Sequence, residues 1–353
     1  MDKKRFEHID FLRAFSIIGV LAVHTLFYNL NNPANIFIWN ILEFVVVGFV
    51  FCSGFVSAAF YTDTLKTWKY TFGWYKKRLL RLLIPFWIYL VIHYSLWILF
   101  PNFFQGLGIE KSWSFFIQSF LLIGGIGINW LPLLFLELTL LFPILLKIIK
   151  NNKTLWIYGA VGLLVTAWFT VQPFPNSYYK FVMWVPWSLV FLLSIMLFKK
   201  ESLIRYGTWI GSGIVVFILS FLYMQNLHLP LNMIEHKYPP DLYYLSYSIA
   251  ATLLVLIVGS FGFWKTNFLR KTVQFISTNS YQLFFIEYII LDVVLLLAKR
   301  GLLISNAGLE FLIVLFLSIL ISYSISVWNL ILKKNWKFLM SYFKKGRRSP
   351  KKD

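Results

Sequence analysis

Residues 9–30 read IDFLRAFSIIGVLAVHTLFYNL, and this stretch decides the fold class. It matches the roughly 20 mostly apolar residues that a helix needs to cross the hydrocarbon of a bilayer. The basic residues at positions 3–5 resemble the start of a signal peptide, but the apolar run is too long for one and carries Arg13 and His24. We therefore predict an uncleaved first transmembrane helix.

The rest of the chain has the same character. Of its 353 residues, 59% are hydrophobic and only 13% are charged, whereas a soluble domain is about half apolar and about one quarter charged. A shorter, glycine-rich apolar stretch at 113–127 leaves the count at ten or eleven spans. We predict an all-α, polytopic transmembrane helix bundle with spans at 9–30, 36–61, 79–100, 130–149, 155–171, 181–198, 208–226, 243–263, 279–298 and 306–332.

The distribution of basic residues decides between ten and eleven spans. With ten spans and a cytoplasmic N-terminus, 27 of the 33 Lys and Arg residues lie on the inner side, as cytoplasmic loops require. An eleventh span at 113–127 would move every later loop to the other side. We therefore predict ten spans with both termini cytoplasmic, and a re-entrant or interfacial segment at 113–127 on the outer side. The basic residues predicted outside are Lys111, Lys180, Lys237, Lys299 and Arg300.

The net charge of +19 follows from these loops, so we interpret it as a topology signal and predict no nucleic-acid partner. Residues 344–353 form a basic cytoplasmic tail that we expect to contact anionic lipid, behind a transmembrane domain at 1–343. The single cysteine, Cys52, excludes an intramolecular disulfide. Because no spacing of His, Asp and Glu is typical of a metal site, we predict neither a metal nor a permanently bound cofactor.

Ionisable side chains inside the predicted spans are few, and they divide by depth. Such groups are costly in a bilayer, so each is a candidate functional residue. Counting along the spans places one group near the cytoplasmic side: Asp10, Arg13, Arg78, Arg81 and Glu287. It places the other group in the outer half: His24, Glu43, His93, Glu137 and Asp292.

Arg13 and His24 are predicted to point in the same direction. Eleven residues at about 100° each return to within roughly 20° of the starting direction and rise about 16 Å. Asp10 lies three residues before Arg13 and is the expected ion partner of that guanidinium. Two simpler explanations remain open, because Arg13 can extend to the headgroups and His24 can hydrogen-bond a neighbouring helix.

Two further groups have both a structural and a functional interpretation. Arg78 and Arg81 form R-x-x-R at the mouth of the third span, which is typical of a stop-transfer cluster and also suits the phosphates of an anionic ligand. Glu137 lies between Pro132 and Pro143, where it is either packed as a neutral acid or partnered by a histidine of similar depth.

Four short motifs occur in an order that matches a known family. The first span contains R-x10-H from Arg13 to His24, followed by VGFVFCSGF (47–55), KKRLLRLLIPFW (76–87) and NWLPLLFLELTLLFP (129–143). Together they resemble acyltransferase family 3, the membrane O-acyltransferases, over most of the chain. The matching positions are Arg13, His24, Ser53, Gly54, Phe55, Arg78, Arg81, Trp130, Glu137 and Pro143.

A fifth motif departs from this family. Its members often have S-Y-x-x-Y-L-x-H in a late span, and here residues 279–288 read NSYQLFFIEY. Ser280 and Tyr281 match the motif, whereas Phe284 takes the place of the tyrosine and Glu287 that of the histidine. The resemblance therefore assigns no late histidine to this chain.

The resemblance implies a ten-span enzyme that moves an acyl group, usually acetyl, from cytoplasmic acyl-CoA. The implied acceptor is a hydroxyl of an extracytoplasmic glycan or lipid-linked sugar, and acyl-CoA is a donor substrate rather than a bound cofactor. The expected site residues are His24, Glu137 and Arg13 for catalysis, Arg13, Arg78 and Arg81 for the donor, and Glu43, Trp130 and Ser53 for the acceptor.

Two tasks are open to the His24 imidazole, which can deprotonate the acceptor or carry the acyl group covalently. We expect Glu137 or Glu43 to orient it. A transporter or flippase for a lipid or glycan is the rival function, with the inner and outer polar groups as relay points; a scaffold without chemistry is the third. We expect a multi-pass protein of a bacterial plasma membrane, in contact with membrane lipids.

Overall fold

The computed structural model describes residues 5–62, 65, 68–104, 112–172, 178–199 and 201–346. Every regular element in these ranges is helical. The helices are α1 (Glu7–Phe27), α2 (Pro33–Leu42), α3 (Val45–Tyr61), α4 (Trp68–Leu99), α5 (Trp113–Phe120), α6 (Trp130–Ile148), α7 (Asn152–Val171), α8 (Tyr179–Val182), α9 (Trp184–Lys199), α10 (Leu203–Asn226), α11 (Leu242–Ser260), α12 (Asn267–Lys299) and α13 (Ala307–Gly346).

The predicted number of spans is confirmed. Within the described ranges, ten helical stretches are long and apolar enough to cross a membrane, with α2 and α3 forming one of them and α8 and α9 another. Helices α4 and α12 begin well before the predicted spans at 79–100 and 279–298, because their polar first turns continue the helix beyond the apolar run. Helix α13 continues past residue 343, and the predicted tail from 347 onward lies outside the described residues.

The segment at 113–127 contains one short helix, Trp113–Phe120, which has too few residues to cross a bilayer. A compact turn follows and is held by Ser119, whose hydroxyl accepts a hydrogen bond from the Ile126 amide at 3.0 Å. Tyr94 of α4 donates its hydroxyl proton to the same oxygen at 2.7 Å. The irregular backbone is thus covered by protein, as apolar surroundings require; its side of the membrane stays a prediction.

Helix α1 lies at the centre of the bundle, in contact with α2, α3, α11, α12 and α13. Its close approach to α3 depends on Gly48, where an added Cβ would lie 2.3 Å from the Ser16 hydroxyl oxygen. Small residues permit such close packing between membrane helices. Helices α7, α10 and α13 expose most of their apolar side chains and form the outer surface that suits lipid. The polar groups of α1 are therefore enclosed by other helices.

Candidate active site

A cavity of about 240 Å³ lies between α1, α3, α4, α6 and α12, and we call it the arginine cavity. Three of its lining side chains are the predicted donor-binding residues Arg13, Arg78 and Arg81. It also has hydroxyl groups on its wall, from Ser53, Ser277, Thr278, Ser280 and Tyr281.

The described residues provide no internal counter-ion for the three guanidinium groups. Within the described ranges, ion pairs join none of them to a carboxylate. Our expectation that Asp10 pairs with Arg13 is wrong, because the Asp10 carboxylate binds Arg5 at 2.5 Å and accepts a hydrogen bond from Ser277 at 2.7 Å. Arg78 donates to the Ser53 hydroxyl at 2.9 Å. Its buried Nε has no hydrogen-bond partner in the part of the chain that the structure describes, so this cavity has a donor available for an anion.

A second cavity, of about 220 Å³, contains His24, and we call it the histidine cavity. Its wall combines two charged groups, Glu43 and Lys237, with a set of aromatic side chains: Phe27, Trp39, Trp130, Tyr238, Phe284 and Tyr288. Leu131 and Phe284 line both cavities. The common direction of Arg13 and His24 on α1 thus places them on the walls of two adjoining cavities.

The His24 imidazole is held at both nitrogens by consecutive residues of α12. Nδ1 lies 2.5 Å from Oε1 of Glu287, and Nε2 lies 3.2 Å from the Tyr288 hydroxyl. A carboxylate at Nδ1 requires a proton on that nitrogen, so the lone pair is on Nε2, where it accepts a hydrogen bond from the Tyr288 hydroxyl. The fully buried Glu287 therefore fixes the tautomer that a general base needs.

These hydrogen bonds contradict two expectations. Glu287 does not lie near the cytoplasmic side below the imidazole but directly against it. Neither Glu137 nor Glu43 contacts the ring, because Glu287 and Tyr288 occupy its two nitrogens. The physical reason is the packing of α12 on α1, which brings residues 263 positions apart into contact.

Glu43 instead forms a buried ion pair with the outer loop. Its Oε2 lies 2.7 Å from the Lys237 ammonium, and the Tyr244 hydroxyl donates to its backbone oxygen. Burial lowers the pKa of Lys237, but the charge and hydrogen bond of Glu43 outweigh it and the net pKa is raised. Lys237 therefore stays charged, and its ammonium also lies 5.7 Å from the ring centre of Trp130.

The other predicted residues are divided between the two cavities or lie outside both. Trp130, predicted to contact the acceptor, lines the histidine cavity. Ser53, predicted for the same role, lies in the arginine cavity against Arg78. Glu137 lines neither cavity, and its buried Oε2 has no hydrogen-bond partner among the described residues. His93 lies 3.6 Å from Asp292 rather than beside Glu137.

The sequence interpretation missed the partners of two predicted site residues, His24 and Glu43. Glu287, Tyr288 and Lys237 were not assigned to the site, although all three line it or contact His24. A signal for Glu287 was present, because a carboxylate in an apolar span occupied the position of the family's late histidine. No comparable signal marked Lys237, whose loop position indicated exposure while its side chain is buried.

Comparison with known families agrees with this geometry. The sequence profile of acyltransferase family 3, described as an acyltransferase domain, matches residues 6–327. The chain belongs to this family: it is a multi-pass membrane enzyme that transfers acyl groups, so its partners include an acyl donor, an acceptor and membrane lipids. No curated protein and no solved structure gives a significant match.

Proposed function

We propose that this enzyme transfers an acetyl group from cytoplasmic acyl-CoA to a hydroxyl of an extracytoplasmic glycan, in a bacterial plasma membrane. One observation carries the proposal. Three arginines that have no carboxylate partner among the described residues line a cavity that adjoins the His24–Glu287 pair. The first feature suits a phosphate-bearing donor, and the second suits deprotonation of a hydroxyl.

In the arginine cavity, charge-assisted hydrogen bonds hold the acyl-CoA. Coenzyme A carries several phosphate groups, and guanidinium binds phosphate with paired, parallel donors. Arg78 is the best placed of the three arginines, because its buried Nε has no partner within the described protein. Arg13 and Arg81 supply further positive charge on the same cavity wall.

The chemistry at His24 is general-base catalysis. Nε2 accepts the proton of the acceptor hydroxyl while that oxygen attacks the thioester carbon, so a C–O bond forms and the C–S bond breaks. The proton then passes from Nε2 to the departing sulfur, which yields the free coenzyme A thiol. Glu287 stabilises the imidazolium that forms between these steps. In this proposal the acceptor oxygen replaces the Tyr288 hydroxyl, which lies 3.2 Å from Nε2, as the hydrogen-bond partner of that nitrogen.

The acyl acceptor binds in the histidine cavity. The Glu43–Lys237 pair on its wall has no net charge, but polar atoms there lack hydrogen-bond partners among the described residues. Glu43 and Lys237 neutralise each other, while Oε1 of Glu43 and Nε1 of Trp39 have no hydrogen-bond partner in the described ranges. Such an acceptor–donor pair suits a neutral hydroxyl, which donates to one atom and accepts from the other. Trp130 and Tyr238 add aromatic surface against which a sugar ring can pack.

The test is acetyl transfer by the purified protein in lipid nanodiscs. Acetyl-CoA labelled in the acetyl group is supplied with cell envelopes from a strain that lacks the gene. We expect label to become bound to envelope glycan through a base-labile ester, with one free thiol released for each ester formed. A transporter or flippase releases no thiol, and that result would contradict the proposal.

A further inference from the structure

Two side chains separate the arginine cavity from the histidine cavity. Leu131, in the first turn of α6, and Phe284, in the middle of α12, line both cavities and are 3% and 4% exposed. We call this pair the partition. Both side chains are therefore nearly inaccessible to water.

The partition lies next to the reacting nitrogen. The ring centre of Phe284 is 6.0 Å from that of His24 and 5.4 Å from that of Tyr288, whose hydroxyl contacts Nε2. A thioester whose phosphates are held in the arginine cavity must therefore reach the partition before its carbonyl carbon can meet an oxygen at Nε2.

We propose that Leu131 and Phe284 determine which acyl chains this enzyme accepts, by closing around the acyl group and limiting it to short chains. This inference rests on the proposed function. In the transfer step the acceptor oxygen bonds to the carbonyl carbon, the C–S bond breaks, and the sulfur receives the proton from Nε2. The acyl tail stays on that carbon throughout, so its methyl end must lie against the partition.

The packing of Leu131 and Phe284 limits the length of the acyl chain that the enzyme accepts. Each additional methylene of the acyl group must displace Leu131 or Phe284 from a closely packed site, and overpacking of such sites is unfavourable. One methylene in an apolar pocket typically changes the specificity of an enzyme by about 10–200-fold. Phe284 also stands where the family often has tyrosine, so the partition of this chain is wholly apolar.

The chain offers a matched control in the next residue. Phe285 has the same side chain and the same 4% exposure, but it packs on Phe86 and Tyr89 and lines neither cavity. The Phe285 ring also meets Phe284 edge-on, with ring centres 5.2 Å apart. Because Phe285 lines neither cavity, Phe285→Ala removes the same buried volume from the same helix without removing a residue of the cavity walls. Any loss of folding stability should be similar to that of Phe284→Ala.

The experiment compares acetyl-CoA with hexanoyl-CoA in nanodiscs, with envelopes from the gene-deleted strain as acceptor, and follows thiol release. We expect the wild type to favour acetyl at least tenfold. Phe284→Ala and Leu131→Ala should each raise the hexanoyl-to-acetyl rate ratio at least tenfold, and Phe285→Ala should leave it unchanged. Should Phe284→Ala not fold, Phe284→Leu and Leu131→Ala provide the same comparison.

The inference and the proposed function fail in different ways. A wild-type enzyme that uses hexanoyl-CoA as well as acetyl-CoA overturns the inference but keeps the function. Equal rate ratios in the wild type, Leu131→Ala and the folded Phe284 variant also overturn it. If the wild type releases no thiol from any acyl-CoA, the proposed function itself is wrong.

Discussion

The Glu287 carboxylate determines what the His24 imidazole can do. It is fully buried, it binds Nδ1 at 2.5 Å, and it leaves Nε2 facing a hydroxyl. A carboxylate is only an acceptor when ionised, so it selects one tautomer of the ring. At the residue scale, the proposed reactive unit is therefore a Glu–His pair contributed by α12 and α1.

Replacing His24 by alanine should abolish most acyl transfer. The loss of general-base help alone is typically about a hundredfold to ten-thousandfold. Acyl-CoA affinity should change little, because the arginines that we propose bind phosphate line the other cavity. Turnover per folded molecule and acyl-CoA binding are measured on the same preparation. Near-normal turnover of folded His24→Ala protein would remove the catalytic assignment.

Glu287→Gln should lower turnover by about a hundredfold or more while acyl-CoA affinity is retained. The amide can donate to Nδ1 and so stabilise the wrong tautomer, and it cannot balance the imidazolium charge. Acyl-CoA binding and thermal unfolding of the same preparation separate this effect from misfolding. Near-normal turnover of the folded variant would mean that Glu287 has only a packing role.

Arg78→Ala and Arg81→Ala should weaken acyl-CoA binding. Loss of one charge-assisted contact costs about 1.5–3 kcal/mol, which corresponds to roughly a tenfold to hundredfold loss of affinity. Arg205 is exposed in the first turn of α10, outside both cavities, and Arg205→Ala serves as the control. Equilibrium binding of acyl-CoA in nanodiscs measures the affinity. Unchanged affinity in both test variants would mean that these arginines only set the membrane topology.

At the scale of elements, the outer loop after α10 is attached to the helix bundle by buried polar contacts. Lys237 pairs with Glu43, and the Met233 amide donates to the Asn40 side chain at 2.9 Å. These contacts close the histidine cavity with residues from a loop that the sequence pattern indicates is exposed. The loop is therefore part of the site.

Lys237→Met should destabilise the protein because it leaves the Glu43 carboxylate buried without a counter-charge. Breaking one side of a buried ion pair typically costs about 3–5 kcal/mol. The double variant Glu43→Gln with Lys237→Met should recover much of this loss, since no charge then remains buried. Thermal unfolding in detergent measures both. Equal stability of Lys237→Met and the wild type would contradict a buried pair.

At the scale of the whole molecule, the function proposed for each cavity depends on the side of the membrane on which it lies. The proposed reaction requires the arginine cavity on the cytoplasmic side and the histidine cavity on the outer side. The ten spans are consistent with the charge asymmetry of the loops, and that asymmetry predicts both termini inside.

Cysteine labelling of intact cells tests this orientation. A cysteine at Glu235, which is exposed in the loop before Lys237, should react with a membrane-impermeant maleimide. A cysteine at Lys153, exposed in the first turn of α7, should react only after the cells are permeabilised. Lys237 itself is unsuitable because it is buried. The reverse labelling pattern would invert the topology and the direction of the proposed reaction.

The sequence alone determined the membrane class, the number of spans and the common direction of Arg13 and His24. These features depend on local quantities: the length of an apolar run, the charge of a loop, and the 3.6-residue period of a single helix. Each can be read within a few dozen residues. For that reason the ten-span prediction agrees with the structure, apart from helix ends that extend into polar turns.

Only the tertiary structure decided which groups meet His24. Glu43, Glu137 and Glu287 are all carboxylates in spans, and depth counted along each helix favoured the wrong two. The choice depends on how α12 is rotated and shifted against α1, which is set by packing between residues far apart in sequence. The burial of Lys237 has the same cause, because its loop folds back onto Glu43. Contacts between helices follow from the assembled core, so no single span determines them.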